Sequence, residues 1–372
     1  MNIDKFQDSQ FATGGALKEI HKTLNAARLD KDQPLDISLE DHLRVNHDGM
    51  TLEAFYEDLG IDPEVDTIQN LFTLPDSDDT TRWLIPEIWR SAIDLGLRTA
   101  PIWSNVTALE QSVSQTSIKM PYWEMSDAAP RYVGEAETIP LGNVAYGTKD
   151  VAIRKMGRGI KMSYEVAQYS SIALVNIFLR DFGIKLGHAL DTLLIDVLIN
   201  GEQADGSESA PVIGVTSATT LDYKSFLRLF IRMARIGRSP STMIAGENMA
   251  LDTLDLDEYK TRVSGTPQER LNIRTPLPNS VDFFIHGNVP ANQVIVLDPG
   301  ASVIKLNAQP LLIESDKIVS NQTLETYASL TTGFATLFRD ARVIVDKSLN
   351  FSGAGFPSYM DPTTQENTPI QS

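Results

Sequence analysis

Residues 116–201 read TSIKMPYWEMSDAAPRYVGEAETIPLGNVAYGTKDVAIRKMGRGIKMSYEVAQYSSIALVNIFLRDFGIKLGHALDTLLIDVLING. The outgoing part alternates apolar Ile118, Met120, Tyr122 and, loosely, Met125 with polar neighbours, the period of a half-buried strand. At the tip Pro130, Gly134, Pro140 and Gly142 interrupt any ladder, so the chain there turns and bends instead of packing as a sheet. Strand character returns through Val144, Tyr146, Val151 and Ile153. Two strands in water bury too little apolar surface to offset the entropy of ordering them. The ribbon therefore needs support from outside itself.

Ser170 and Ser171 supply N-cap side chains for a helix over about 172–200, which Gly201 ends. Phe178, Phe182, Leu186, Leu190, Leu194 and Leu198 recur every four residues and predict one stripe facing a core, with Arg180, Asp181, Lys185 and Asp191 on the flanks. At about 1.5 Å per residue this rod is roughly 40 Å long, more than a small domain needs. It reads as a structural spine.

Outward from this centre, residues 1–80 carry 18 acidic and 6 basic side chains, so 12 of the 17 net negative charges lie in the first fifth of the chain. Within it, KEIHKTLNAARL, SLEDHLRV and MTLEAFYEDLGI each have the spacing of a short helix, the last ending at Gly60. Residues 82–113 are rich in Trp and Ile and broken by Pro86 and Pro101. Beyond the spine the pattern becomes α/β: a helix over 222–235 carrying Phe226, Leu229, Phe230 and Met233 and stopped by Gly237, a strand at STMIAG, and a helix in ENMALDTLDLDEYK. A long polar connector, basic at Arg262, Arg270 and Arg274, comes next. Short strands are predicted at VDFFIH, QVIVLD, SVIKL, PLLIES, TLETYASL, FATLFRD and ARVIVDK, with a turn near 320–322.

Composition bounds the function classes. With 372 residues and 42% hydrophobic, the chain can bury one large core or two modest ones. A net charge of −17 argues against gripping nucleic acid phosphates. No cysteine is present, which removes disulfides and thiolate chemistry and suits assembly in a reducing cytoplasm. No apolar run is long enough to cross a bilayer, and MNIDKFQDSQ has neither a basic nor an apolar signal region, so neither secretion by that route nor a membrane span is expected.

Chemistry is sparse. His21, His42, His47, His188 and His286 show no metal-ligand spacing and read as solvated surface histidines. The acidic group Asp252, Asp255, Asp257 and Glu258 lacks the central glycine and closing glutamate of a calcium loop and reads as the outer face of a helix. Gly157-Arg158-Gly159 is too short for a dinucleotide fingerprint and reads as a backbone kink. No catalytic, cofactor-binding or metal-binding residue is assigned, and the chain is expected not to be an enzyme.

The order AAPRYVGEAETIP, a strand pair, a basic turn, MSYEVAQYSS, a spine helix and LINGEQADGSESAPVIGV resembles the major capsid protein of tailed double-stranded DNA bacteriophages, the Hong Kong 97 type. Element order matches over about 82–350, and residue similarity concentrates in 128–215. The resemblance implies an α+β fold with an acidic N-terminal extension (1–80), an N-terminal arm (81–115), an extended loop (116–150), a peripheral domain with the spine (151–205), an axial domain (206–309), a peripheral return (310–335), and an axial closing strand with a tail (336–372). It implies pentamers and hexamers closing an icosahedral shell around DNA, in a virion assembled in the bacterial cytoplasm, with a portal protein, a scaffold and a decoration or cement protein as partners. In some members a comparable N-terminal region is a built-in scaffold removed by a protease; here it reads as a retained arm, either facing DNA, docking on basic turns, or simply solvated.

Under that resemblance Trp83, Trp89 and Trp103 serve either as intersubunit anchors or as ordinary core residues. Arg154, Lys155, Arg158 and Lys161 meet Glu135 and Glu137 of a neighbouring loop, or the acidic extension, or protect a strand edge. Lys149 matches the lysine of the family's isopeptide cross-link, but TLETYASLTTGF supplies Thr331 and Thr332 where the partner groups are needed, so no covalent weld is expected. A bacterial nanocompartment shell of the same fold and a soluble enzyme with an acidic site stand as the competing readings.

Overall fold

A computed structural model describes residues 11, 16–30, 35–68, 85–99, 102–114, 117–123, 133, 135, 138, 144–202, 209–256 and 281–361, with 117–123, 144–150 and 317 described by their backbone only. Among the described residues three short helices come first: α1 (Ala16–Arg28), α2 (Leu39–Asn46) and α3 (Leu52–Asp58). Ser38 and Asp41 form a reciprocal capping box on α2, and Gly60, at φ 65°, turns the chain after α3. Next come α4 (Ile85–Leu97), α5 (Trp103–Val106), β1 (Thr107–Ser112), β2 (Ser117–Trp123), β3 (Val144–Ala152) and β4 (Arg154–Ser163). After α6 (Tyr164–Tyr169), the spine α7 runs Ile172–Asn200. Its first turn is capped by the Ser171 hydroxyl, which accepts from Leu174 N at 3.3 Å, and Gly201 closes it at φ 74°.

The C-terminal half adds β5 (Val212–Val215), α8 (Tyr223–Arg235), β6 (Thr242–Ala245), α9 (Glu247–Leu254), β7 (Asp282–Ile285), β8 (Gln293–Leu297), β9 (Val303–Ile318), β10 (Thr323–Thr336) and β11 (Arg342–Asn350). Two sheets organise these strands. One has the order β1-β9-β10-β4 and the other β5-β11-β8-β6-β7, while β2 and β3 pair with each other as a separate ribbon. In the five-stranded sheet, Ile244, Ile295 and Ile344 enter the large core that holds the spine; Met243, Val294, Val296, Val343 and Val345 pack on the other face with Phe226, Leu229 and Met233 of α8. Burial on both faces is why these strands read as unbroken apolar runs.

Two pairs of predicted strands are single strands. SVIKL and PLLIES join as β9, because Pro310 falls beside the register irregularity at Ser329–Thr331 of β10, where a missing N–H costs no ladder bond. TLETYASL and FATLFRD join as β10 through Gly333, whose missing Cβ admits Ala152 O, 3.0 Å from where that atom would lie.

The spine stripe also needs correction. Leu179, Phe182, Leu186, Leu190, Leu194 and Leu198 are buried, but Phe178 is 66% exposed. A strict four-residue repeat advances about 40° per step on a helix of 3.6 residues per turn, so a row followed back from Leu198 leaves the core face before Phe178. Asp191, expected on a flank, is fully buried. The glycine pair Gly157 and Gly159 is no kink either: both lie in regular β4, opposite Ser329 and Tyr327 of β10, and the Tyr327 ring occupies the space a Cβ at 159 would need.

The described part of the acidic extension is built into the body. Leu24, Leu43, Phe55 and Leu59 share one core with Ile85, Ile88, Ile93 and the spine. The Arg28 guanidinium forks onto Glu87 at 2.7 and 2.8 Å, and Arg90 pairs with Asp36. Ile172 N and Ala173 N, two of the orphan donors of the spine's first turn, are taken by Asp66 O at 3.0 Å and Pro63 O at 2.8 Å.

Candidate functional site

The ribbon rises from a small apolar cluster of Val113, Val151, Ile153, Ile304, Leu306 and Ala335, which anchors its root to the four-stranded sheet. Beyond that root the backbones of β2 and β3 hydrogen-bond across Ser117–Ala152 to Trp123–Val144, with an irregularity where Pro121 cannot donate. Glu135 is an exposed turn residue; Glu137 lies outside the described residues, and so do Trp83, most of the tip and the connector with Arg262, Arg270 and Arg274. Lys149 belongs to β3.

On β4, Arg154, Lys155 and Arg158 are exposed, and among the described residues no carboxylate forms an ion pair with them. Lys161 differs. It sits directly opposite Glu325 on β10 and pairs with it at 3.2 Å, so this member of the basic run is engaged within the chain.

The tryptophans divide. Trp89, on the buried face of α4, is 2% exposed, and Trp103 is 9% exposed with Lys305 Nζ 3.4 Å from its ring centroid. Both are buried in the core of their own chain, in line with the second of their two readings.

An exposed apolar surface that the periodicity does not predict lies at the start of the spine. Val166 and Tyr169 on α6 and Leu174, Ile177 and Phe178 on the first half of α7 are all exposed, between 45 and 79%. Five large apolar side chains gathered on adjoining turns form the kind of patch that marks an interaction surface. Its signal in the sequence is a second apolar row beside the buried one, recognisable only once the buried face is fixed.

The far end of the spine is held by polar contacts that fix its direction. Arg342, fully buried, donates Nε to Leu198 O at 2.9 Å, and the Glu202 carboxylate accepts from Thr336 N and Oγ1 at 3.2 and 2.8 Å. Where α7 passes α4, Gly96 and Gly183 let the backbones touch: a Cβ on Gly96 would lie 2.1 Å from Arg180 O, and one on Gly183 2.1 Å from Ile93 O. Nothing in the local pattern singles out either glycine, because each is required by the other helix.

The histidines are not all solvated. His21 Nδ1 lies 3.2 Å from Glu87 Oε1. Burial pushes the Glu87 carboxyl up, but hydrogen bonds from Arg28 and His21 and their charges outweigh it and hold the group down at about 2. The fold also brings His188, Asp191 and His286 together although they are far from any ligand spacing in sequence. Burial pushes Asp191 up and His286 down from their ordinary values. Asp252 pairs with Lys347 instead of lying free on its helix. No helix of the described residues is long and apolar enough to cross a membrane.

The model of a family described as phage capsid protein matches residues 146–347, more than half of the chain. No curated protein matches. Among solved structures, a virus-like particle from Pyrococcus furiosus is similar at 11% identity and a TM-score of 0.49, over 69% of this chain and 97% of that one. The mature capsid of bacteriophage PhiM1 is similar at 12% identity and 0.48, over 66% and 87%, and the capsid of a native GTA particle at 11% and 0.48, over 65% and 88%. On the family match, whose span holds the spine, β4 and every strand of the two sheets except β1 and the end of β11, this chain belongs to the phage capsid protein family and is a shell-forming structural protein.

Proposed function

We propose that this subunit assembles into pentamers and hexamers of an icosahedral shell that encloses double-stranded DNA, as a non-enzymatic virion component put together in the host cytoplasm. The observation that carries the reading is the ribbon: β2 and β3 have one another as their only ladder partners among the described residues, and a lone pair of strands gains its order from packing on something else. A neighbouring subunit is that surface. In this reading residues 116–150 are the extended loop, the four-stranded sheet with the spine is the peripheral domain, the five-stranded sheet is the axial domain, and 310–335 returns to the periphery in the manner of the Hong Kong 97 type.

Arg154, Lys155 and Arg158 then set the register of the overlying loop through Glu135 and Glu137, each exposed pair contributing about 0 to 1 kcal/mol. The Val166–Phe178 patch supplies the apolar contact that Trp89 and Trp103, being internal, do not. A portal protein, a scaffold and a decoration protein complete the assembly, and interlocked limbs replace a covalent weld at Lys149.

Electron microscopy of the purified protein tests this. Closed megadalton particles that protect DNA from nuclease, and that fall to single-chain mobility when boiled in SDS, are expected. A stable monomer or dimer overturns the shell, and particles filled with a protein cargo instead of DNA overturn the viral role.

A further inference from the structure

His188 and Asp191 are three residues apart on α7 and so share one face of the spine. His286 follows the last residue of β7, the edge strand of the five-stranded sheet, with its backbone fixed by donation to Ala245 O at 3.1 Å. Each of the three offers one donor atom, and these atoms lie within 4.8 Å of one another. We propose that His188, Asp191 and His286 bind a divalent transition-metal ion of the zinc class, which staples the middle of the spine to the edge of the five-stranded sheet.

The second observation is the state of the carboxylate. Asp191 is fully buried; Trp103 N donates to its Oδ1 at 2.9 Å and the backbone N–H of Ile102 also bonds to the carboxylate, while Oδ2 is buried without a close, well-aligned donor. A buried carboxylate oxygen left without a donor is a costly arrangement, which a cation beside it relieves. The N–H of Trp103 meanwhile orients the group from behind, as outer contacts do for metal ligands.

Donor type narrows the ion. Two imidazoles and one carboxylate suit zinc, cobalt or nickel, whereas magnesium and calcium take oxygen shells. Bond lengths near 2.1 Å put donors of a tetrahedral site roughly 3.4 Å apart, so donors within 4.8 Å of one another must close by at most about 1.4 Å. His188 is exposed and free to swing inward. The opposing contact is Asn288 N–H to His286 Nδ1 at 3.2 Å, an exposed hydrogen bond that puts the ring proton on Nε2, so the ion must either replace the Asn288 N–H at Nδ1 or bind Nε2 after the proton moves to Nδ1, and in both cases that bond is given up. The three protein ligands leave a fourth position for water on the open side.

The site lies within one chain, so its test stands whether or not shells form. The full-length protein is stripped with EDTA and titrated with Co2+, alongside His188→Ala, which removes an exposed side chain and leaves the core intact. Expected are the intense visible absorption of tetrahedral cobalt at about one ion per chain, displacement by Zn2+, and at least a tenfold weaker affinity in H188A, the scale set by loss of a ligand or its support. His286→Ala should show the same loss. Absence of the spectrum in the wild type, or equal spectra and affinities in wild type and H188A, overturns the proposal.

Discussion

Glu87 shows how one charge can be made to depend on the fold. It is 3% exposed, so its negative charge survives burial only because the Arg28 fork and His21 surround it. The folded carboxyl titrates near 2 against an ordinary 4.5, which makes the unfolded chain the stronger proton binder between those values. Stability from this group is therefore fully present above about pH 5 and is lost as the pH falls toward 2, on the order of 3 kcal/mol in all. In Glu87→Gln the buried Arg28 loses its counter-charge, and a loss of about 3–5 kcal/mol at pH 7 is expected. Urea denaturation of both proteins at a series of pH values checks this, with the variant showing the flatter dependence between pH 5 and 3. In the sequence Glu87 is an ordinary helix-start acid; its partners stand 59 and 66 residues away, a distance that no local pattern spans.

Among the elements, the crossing of α4 and α7 sets the position of the entire spine. Gly96 and Gly183 are the closest approach, each with a carbonyl of the other helix where its Cβ would be. Alanine at either site gains up to about 1 kcal/mol of helix propensity but must part the helices, at a cost of about 1–3 kcal/mol or more in strain. Gly96→Ala and Gly183→Ala are thus expected to lower the melting temperature. Gly187→Ala is the control: its Cβ would meet Leu97 O at 3.4 Å, ordinary contact, and calorimetry should find it neutral or slightly stabilised. The helix itself is legible to the residue at both ends, because caps are local chemistry: Ser171 and Gly201 act on their own neighbours. Which side of it faces the core is legible only in part. Phe178 obeys the apolar repeat yet points outward, since the choice between two apolar rows belongs to the elements packed on them.

For the subunit as a body, the N-terminal extension is an integral part. Its three helices contribute Leu24, Leu43, Phe55 and Leu59 to the spine's core, and its residues 63 and 66 cap the spine. Cleavage at a protease site inserted between residues 69 and 84 is expected to leave 16–68 bound, so that both pieces elute together on gel filtration and separate only in denaturant. Release of the N-terminal piece under native conditions would contradict this packing. Charge alone suggests a limb for DNA or for solvent. Burial of Arg28 against Glu87 and the pairing of Arg90 with Asp36 show that its described part is also tied to the body by charge.

The inventory of elements is written in the chain: the paired strands of the ribbon, the capped spine, the short helices of the extension, and the α/β run with apolar strands. Each follows from periodicity, caps and turn residues, which act over a few positions. The order of these elements also carries enough of the family's pattern to make the shell an expectation of the sequence. Three-dimensional packing was needed to settle that β9 and β10 run unbroken, that Trp89 and Trp103 face inward, that an apolar patch faces outward, and that His188, Asp191 and His286 converge. These are outcomes of contact between segments tens to hundreds of residues apart, where burial is a property of the partner as much as of the residue.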